Sequence, residues 1–359
     1  MVVQQVLTPA PRSAWEAVVR QDPHATVYQT VPWRDAAVKV SGATDVSRLY
    51  ILDDGRMLVL PMLRRKPLPG LLLDESYPAP FASGGLLASE GLRASDVRQV
   101  LEDVRDGPAV RTRIKANHDV ADIWGRGLVP GVASSPRRVE VVDLDGGFNR
   151  VWERRLNSAA RRAVLKAERS GLEVERDGTG RLVPAFYQLY LDWITDRAKA
   201  SGLPSPLTVA LARRREPLEV FEAVAAALGE ECQVWLVTYQ GETVAGQVML
   251  FHGVHAAAWR SYSKKGSAGR PYGANNLLDR CALEEACERG CRYFSMGESG
   301  GVAGLQHYKQ TMGATPRTGV DVQVERLPLT RLERSANRAR STAADLVTRS
   351  LQRVHRRRS

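Results

Sequence analysis

The stretch of sequence that decides the fold covers residues 245–314 and reads AGQVMLFHGVHAAAWRSYSKKGSAGRPYGANNLLDRCALEEACERGCRYFSMGESGGVAGLQHYKQTMGA. At its start, two short apolar runs over residues 243–251 and 254–262 are separated only by His252-Gly253. Alternating, Val-rich and aromatic runs favour strands, and a two-residue separation with glycine favours a hairpin. We therefore predict two antiparallel strands here.

A glycine-rich basic turn over residues 264–273 follows the hairpin and leads into a predicted helix over residues 274–289. The helix has one apolar stripe and ends at Gly290. A strand near residues 292–296 and a short amphipathic segment with Tyr308 and Lys309 come next. Glycines before a helix leave backbone N–H groups free for an anion, which favours a phosphate-bearing cosubstrate. An ordinary strand-to-helix connection would show the same glycine-rich sequence pattern. From the turn alone, the two interpretations are equally good.

Length and composition indicate a globular protein with more than one core. The chain has 359 residues and 43% hydrophobic content, which favours two domains. It contains neither an apolar run of membrane-spanning length nor an N-terminal leader pattern, so we expect a cytoplasmic protein. The four cysteines lack paired metal-ligand spacing and fit reduced, partly buried thiols, so we expect no metal site.

The net charge of +11 is concentrated at the C-terminus. Residues 326–359 contain ten arginines and two acidic residues, so they carry a net charge of +8. Apolar residues recur there at helical spacing, which predicts a basic amphipathic helix. Such a helix could bind nucleic acid, bind anionic lipid, or pack against its own protein, and the three alternatives stay open.

Residues 1–145 form the first predicted unit. We expect helices near residues 15–22 and 33–40, a hairpin of strands 48–52 and 57–63 around Asp53-Asp54-Gly55, and a long proline-rich loop over residues 66–80 that acts as a rim or lid. A helix over residues 95–104 and strands over 110–114 and 138–144 complete the unit. We find no charge constellation in it that suggests chemistry.

The second predicted unit covers residues 146–325. The sequence pattern over residues 148–170 predicts one or two helices with a dense basic face. On this face, Arg161 and Lys166 could bind a phosphate. The alternative is a solvated helix surface. A strand at 172–175, helices at 182–200 and 207–228, and a strand at 233–239 lead into the stretch described above.

Several of these segments together resemble one enzyme family. They are YQTVPW at residues 28–33, a segment from Trp152 through Arg161 and Lys166 to residue 174, the Val244-Ala245-Gly246 strand, and the ending at residues 304–314 that carries Tyr308-Lys309. As an ordered set covering about residues 20–320, they are similar to the Fem family of GNAT-like acyltransferases. The resemblance implies an α/β (α+β) fold of two tandem GNAT-like domains with mixed central sheets, over residues 1–145 and 146–325, followed by the basic C-terminal helix of residues 326–359.

The characterised members of this family are lipid II glycyltransferases and related aminoacyl-tRNA-dependent enzymes that form peptide bonds. The resemblance therefore implies direct transfer of an aminoacyl group from tRNA to a primary amine of a small molecule or cell-wall precursor, without a bound cofactor. The alternative donor is acyl-CoA, with a sugar, polysaccharide precursor or small metabolite as acceptor. A third alternative is a noncatalytic binding protein of the same fold, and contact with an anionic membrane through the tail also stays open.

Site residues follow from the same resemblance. Lys309 and Tyr308 match the family's aromatic-lysine pair, and Glu298 stands near the position where the family carries an acidic residue, so these three are the predicted catalytic residues. The predicted substrate- and phosphate-binding residues are Arg161, Lys166, Arg260, Arg270, Gly273, Asn275 and Asn276. Direct transfer is favoured because no Ser-His-Asp or Cys-His order stands out among the six histidines.

Overall fold

A computed structural model of the chain describes residues 2–78, 80–81, 84–264 and 273–330. Within them lie fifteen strands and eleven α-helices. The strands are β1 (Val3–Leu7), β2 (Thr44–Asp45), β3 (Arg48–Leu52), β4 (Met57–Leu60), β5 (Leu63–Leu68), β6 (Leu71–Glu75), β7 (Leu87–Ala88), β8 (Arg111–Ala116), β9 (Val132–Asp143), β10 (Leu172–Asp177), β11 (Cys232–Tyr239), β12 (Glu242–His252), β13 (His255–Ser263), β14 (Tyr293–Ser295) and β15 (Thr315–Glu325).

The α-helices are α1 (Arg12–Gln21), α2 (Val31–Ser41), α3 (Ala94–Asp106), α4 (Ala121–Gly127), α5 (Gly147–Arg150), α6 (Ser158–Glu168), α7 (Val183–Ala200), α8 (Ser205–Arg215), α9 (Leu218–Leu228), α10 (Ala274–Glu288) and α11 (Ala303–Thr311). Short 3₁₀ turns precede α2 and α4 and follow α9, and a π-helical turn over Val151–Arg155 joins α5 to the segment before α6.

The strands form two sheets. A four-stranded sheet has the order β1-β3-β4-β7, and an eleven-stranded sheet has the order β10-β11-β12-β13-β14-β9-β15-β8-β6-β5-β2. The larger sheet is mixed, because β13 with β14 and β6 with β8 pair parallel while its other pairs are antiparallel. Each parallel pair is joined by a crossover that contains a helix, α10 in one case and α3 in the other. The predicted mixed α/β fold is confirmed, and the domain limits proposed at residues 145 and 325 stay a prediction.

Helices cover both faces of the sheet around β11 to β13. On one face, α7 and α9 bury Phe186, Tyr190 and Phe221 against the strands. On the other face, α10 and α6 bury Leu278 and Val164. The near-continuous apolar character of β12 follows from this burial, since a strand covered on both faces needs no alternation.

Trp33 of α2 ties the N-terminal helices to this second half. It is fully buried, and its ring lies edge-on to the rings of Trp259 at 5.3 Å and Phe81 at 5.5 Å. Edge-to-face aromatic contacts add about 1 kcal/mol each beyond the area that they bury. The indole of Trp33 therefore fixes the position of α2 relative to β13.

Two segments differ from the sequence-based expectation. The proline-rich stretch predicted as a rim or lid instead forms the β5–β6 hairpin over most of its length, because Arg64 pairs with Asp74 and Arg65 with Glu75 across it. The helix predicted over residues 207–228 is interrupted at Glu216, since Pro217 restricts the residue before it and cannot donate a backbone hydrogen bond. Residues 265–272 of the predicted glycine-rich turn and residues 331–359 of the predicted tail helix lie outside the described residues.

Gly273 allows α10 to lie against α6. Its φ is +101°, and a Cβ placed on it would come within 2.9 Å of the Ala163 carbonyl oxygen and 3.2 Å of the Ala167 Cβ. Gly290, just after α10, also has positive φ, at +76°, but a Cβ there would meet nothing within 4 Å. A comparison of substitutions at the two glycines therefore separates the effect of backbone strain from the effect of steric crowding.

We expect Gly273→Ala to lower the free energy of unfolding by about 1–3 kcal/mol more than Gly290→Ala does, because only the first adds a clash to the left-handed strain. Urea unfolding of the two variants and the wild type measures the difference. Equal decreases in the free energy of unfolding would mean that α6 and α10 can move apart without loss of stability.

Candidate active site

A cavity of about 780 Å³ opens where β13 and β14 part. The two strands pair over only three residues, His255–Ala257 with Tyr293–Ser295. Every residue of β13 lines the cavity, and so do the turn over residues 296–298 and one side of α11. The size falls within the range of small-molecule sites.

β13 contains a bulge beside this cavity. Val248 of β12 pairs with Arg260, but the next residue, Met249, pairs with Ala258, so Trp259 is an extra residue in β13. A bulged residue is left out of the ladder. The Trp259 carbonyl accepts a hydrogen bond from the Arg260 guanidinium instead, so the bulge places an irregular backbone segment on a cavity-lining strand.

Asp279 is the most distinctive group in the cavity wall. Its side chain accepts a hydrogen bond of 2.6 Å from the Tyr308 hydroxyl and one of 3.1 Å from the Gln247 amide. All three residues line the cavity, and Asp279 is only 5% exposed. Burial raises the pKa of Asp279 to about 6, although the two hydrogen bonds and Lys309 favour its charged form. This carboxyl can therefore gain or lose a proton near neutral pH.

The sequence prediction included Tyr308 but missed Asp279 and Gln247. Asp279 lies in the buried stripe of α10, directly after Leu277 and Leu278. An acidic residue inside an apolar stripe was the available signal, since carboxylates are rarely buried without a partner. Gln247 is likewise buried within the apolar run of β12.

Lys309 lies in the wall of the same cavity. It is 6% exposed, and its Nζ donates to the carbonyl oxygens of Gly297 at 3.1 Å and Glu298 at 3.0 Å. Burial lowers its pKa, and the carboxylates of Glu140, Asp279 and Glu298 oppose that shift. The ammonium therefore fixes the turn that follows β14 and brings positive charge to the cavity.

Glu298 also lines the cavity, with a half-exposed side chain. Its carboxylate lies 3.5 Å from Arg137 Nη1, and Arg137 itself binds Asp321 through Nε at 2.8 Å. The three predicted catalytic residues, Lys309, Tyr308 and Glu298, thus lie at one cavity. The structure leaves their catalytic roles as predictions.

Two of the predicted binding residues also line the cavity. Arg260 donates to the Glu216 carboxylate, to the Trp259 carbonyl and to the Pro80 carbonyl, so its guanidinium holds protein groups together. Asn275 donates to the Ser263 hydroxyl at 3.0 Å, while its Oδ1 is buried and accepts no hydrogen bond from the described residues. Asn275 therefore offers an acceptor to a ligand.

Two further predicted binding residues, Asn276 and Gly273, are not among the residues that line the cavity. Asn276 contacts the sulfur of Met312, and Gly273 packs on α6. Arg270 lies outside the described residues.

Arg161 and Lys166 are on α6 and are not among the residues that line the cavity. Nη1 of Arg161 donates to the carbonyl oxygens of Trp152, Glu153 and Leu156, at 3.0, 2.8 and 3.2 Å. This guanidinium satisfies carbonyl groups at and just after the π-helical turn. Its proposed role in phosphate binding stays a prediction.

The described residues contain no group of three or more His, Cys, Asp or Glu side chains arranged to hold a metal ion. None of their helices combines the length and apolar content needed to cross a bilayer.

Comparison with known proteins gives a domain-family match for part of the chain and structural matches for most of it. Residues 154–310 match the family model described as acetyltransferase (GNAT) domain. Among curated protein sequences, none matches the chain.

Solved structures match over most of the chain at low identity. The crystal structure of FemX has a TM-score of 0.68 and 14% identity, covering 92% of this chain and 99% of that one. The C-terminal domain of a putative lysylphosphatidylglycerol synthetase from Agrobacterium fabrum has a TM-score of 0.52 and 15% identity, covering 90% and 93%. L-PGS from Bacillus licheniformis has a TM-score of 0.51 and 14% identity, covering 90% and 96%.

The predicted resemblance to Fem-type GNAT proteins is thereby confirmed. Residues 154–310 match the acetyltransferase (GNAT) domain model, and the fold is similar to that of FemX over 92% of the chain.

Proposed function

We propose that the protein is an acyltransferase that joins an activated acyl group to a primary amine by direct transfer, with Asp279 as the proton acceptor. The observation that carries the proposal is the buried Asp279 carboxyl, hydrogen-bonded to Tyr308 and Gln247 in the wall of a ligand-sized cavity. The match of residues 154–310 to an acetyltransferase domain supports the reaction class.

The chemistry requires little covalent help from the protein. The amine nitrogen attacks the acyl carbon, the carbonyl oxygen takes on negative charge, and the leaving group departs when the tetrahedral intermediate collapses. The nitrogen loses a proton during this sequence, and a base with a pKa near the working pH receives it efficiently. Asp279, with a pKa of about 6, fits that requirement.

Charge stabilisation falls to two groups in our proposal. The bulge at Trp259 places backbone N–H groups next to the cavity, and Lys309 supplies a buried positive charge held by two carbonyl oxygens. Preorganised donors of this kind typically contribute ~3 kcal/mol to an oxyanion-forming step. The Asn275 Oδ1, a buried acceptor, fits an N–H group of the donor or acceptor.

Aminoacyl-tRNA is our first candidate for the donor, because of the Fem-type resemblance and the arginines of residues 326–359. Acyl-CoA is the second candidate, favoured by the acetyltransferase domain match. Incubating the purified protein and an amine acceptor with charged tRNA or with acetyl-CoA, and following loss of the acyl group, distinguishes them. A protein that deacylates neither donor would be a noncatalytic member of the fold.

Asp279→Asn is expected to lower kcat by about 10²–10⁴-fold, because the amide keeps the shape of the carboxyl but cannot take the proton. The rise of wild-type kcat/KM through pH about 6 should vanish in the variant. Glu288→Gln, an exposed change on the same helix, is the matched control and should behave as wild type. Turnover of Asp279→Asn at the control's level would exclude Asp279 as the base.

The same substitution should stabilise the folded protein at high pH. Burial raises the folded-state pKa of Asp279 to about 6, above its unfolded value, so the charged form lowers stability at neutral and alkaline pH. We expect Asp279→Asn to raise the free energy of unfolding by up to about 3 kcal/mol at pH 8, with the gain shrinking below pH 6 and absent near pH ~4. Urea unfolding across this range tests it, and a pH-independent difference would contradict the raised pKa.

Removal of residues 331–359 should separate the two donors. If tRNA is the donor, the arginines removed would bind its phosphates, so tRNA affinity should fall in the truncated protein. The salt dependence of binding should flatten by about 0.7–0.9 log units per log unit of salt for each phosphate that is no longer bound. Transfer from acetyl-CoA should change little. Unchanged tRNA binding and activity would show that the tail takes no part in donor recognition.

A further inference from the structure

A second polar cluster lies at the start of β13, apart from the Asp279 group. His255 is the first residue of this strand and pairs with Tyr293, whose ring stacks on the imidazole at 5.5 Å. His118, from the 3₁₀ turn before α4, lines the cavity as His255 does. Asp119 follows His118 in the chain and lies between the two imidazoles. Our proposed mechanism gives these three side chains no role.

The three side chains converge without completing hydrogen bonds. Asp119 Oδ1 is 3.3 Å from His118 Nε2, and Asp119 Oδ2 is 3.7 Å from His255 Nε2. Their side chains are 7%, 11% and 9% exposed for Asp119, His118 and His255. Within the described chain, Asp119 Oδ2 and both Nε2 atoms are buried and make no hydrogen bond. The more exposed His24 reaches only to 4.0 Å from Asp119 Oδ2.

Burial disfavours the charged form of both imidazoles. Burial lowers the pKa of His118, with Arg317 and Arg137 acting in the same direction and Asp119 opposing. Burial likewise lowers the pKa of His255 to about 4, against the opposing effect of Asp119. A neutral imidazole whose Nδ1 carries the proton accepts a hydrogen bond at Nε2. The cluster can therefore present three buried acceptors, one of them a carboxylate oxygen.

We propose that His118, Asp119 and His255 bind a primary ammonium group of the acceptor substrate. An ammonium has three donors on one nitrogen and a positive charge, which matches three converging acceptors that include a carboxylate. A hydroxyl has one donor, and an anion would face the Asp119 carboxylate. This inference rests on the proposed amine acceptor and identifies its class.

The ammonium bound at this cluster is not the one that reacts. A nitrogen that donates all three protons has no free lone pair with which to attack an acyl carbon. The bulge at Trp259 is four residues further along β13, roughly 13 Å away. The acceptor therefore carries two amino groups, as a polyamine or a peptide with two free amines does. One amino group reacts, and the cluster selects acceptors that also carry the other.

Binding can be tested without any acyl donor. Ring ¹⁵N shifts of histidine-labelled protein at pH 7.5 are followed during titration with n-butylammonium chloride or with 1-butanol, after His118→Gln and His255→Gln have assigned the two rings. We expect saturable shifts of both rings with the ammonium and no saturable shift with the alcohol. Equal responses to the two probes, or none to the ammonium, would overturn the proposal, as would shifts produced instead by equimolar Zn²⁺.

Variants locate the binding and keep this proposal separate from the catalytic one. Asp119→Asn and His255→Gln should each weaken butylammonium binding at least tenfold, while the exposed Asp122→Asn three residues away should not. Asp279→Asn should retain the binding even though it loses turnover. Wild-type affinity in folded Asp119→Asn and folded His255→Gln would refute the ammonium site and leave the acyltransferase proposal intact. Ammonium binding in a protein that uses neither acyl donor would refute only the acyltransferase proposal.

Discussion

The site depends on a parallel strand pair that stops after three residues. β13 and β14 hydrogen-bond from His255–Ala257 to Tyr293–Ser295, and then β13 continues while the other chain turns at Gly297. A strand that loses its neighbour inside a sheet leaves backbone groups and a gap that something else must fill. Here Lys309 fills part of the gap by binding the carbonyl oxygens of the turn, and the cavity occupies the rest. The short pairing thus creates the space, and one buried ammonium holds it open.

Local sequence patterns predicted most of the elements around this gap. The hairpin β12–β13 and helix α10 were each predicted to within a few residues, because strand alternation, glycine stops and apolar stripes are properties of neighbouring residues. Strand β15 was missed. Its pairing partners, β8 and β9, are far away in sequence, so its presence is a consequence of the tertiary fold.

The candidate site was predicted only in part, for the same physical reason. Tyr308 and Lys309 were found through a contiguous family pattern, but Asp279 has meaning only beside Gln247, 32 residues earlier, and Tyr308, 29 residues later. Arg161 shows a contact that the sequence pattern did not predict. A basic helix face suggests phosphate, yet the carbonyl oxygens that its guanidinium binds lie within nine residues before it. Which partner a charged side chain takes depends on backbone geometry that composition does not report.

Strand β15 also constrains the order in which the strands of the large sheet can assemble. It lies between β8 and β9 in the large sheet, so the segment β8-β6-β5-β2 and the segment β10-β11-β12-β13-β14-β9 that holds the cavity are joined into one sheet only by this late strand. Val320 pairs with Ala116, and Thr315 pairs with Val141. On a ribosome, β8 and β9 would therefore leave the exit tunnel with edges unpaired and wait for about 170 to 210 further residues before β15 could join them. The large sheet is thus completed only when β15 joins it, and a chain stopped just before residue 315 would expose two sheet edges of the kind that promote aggregation.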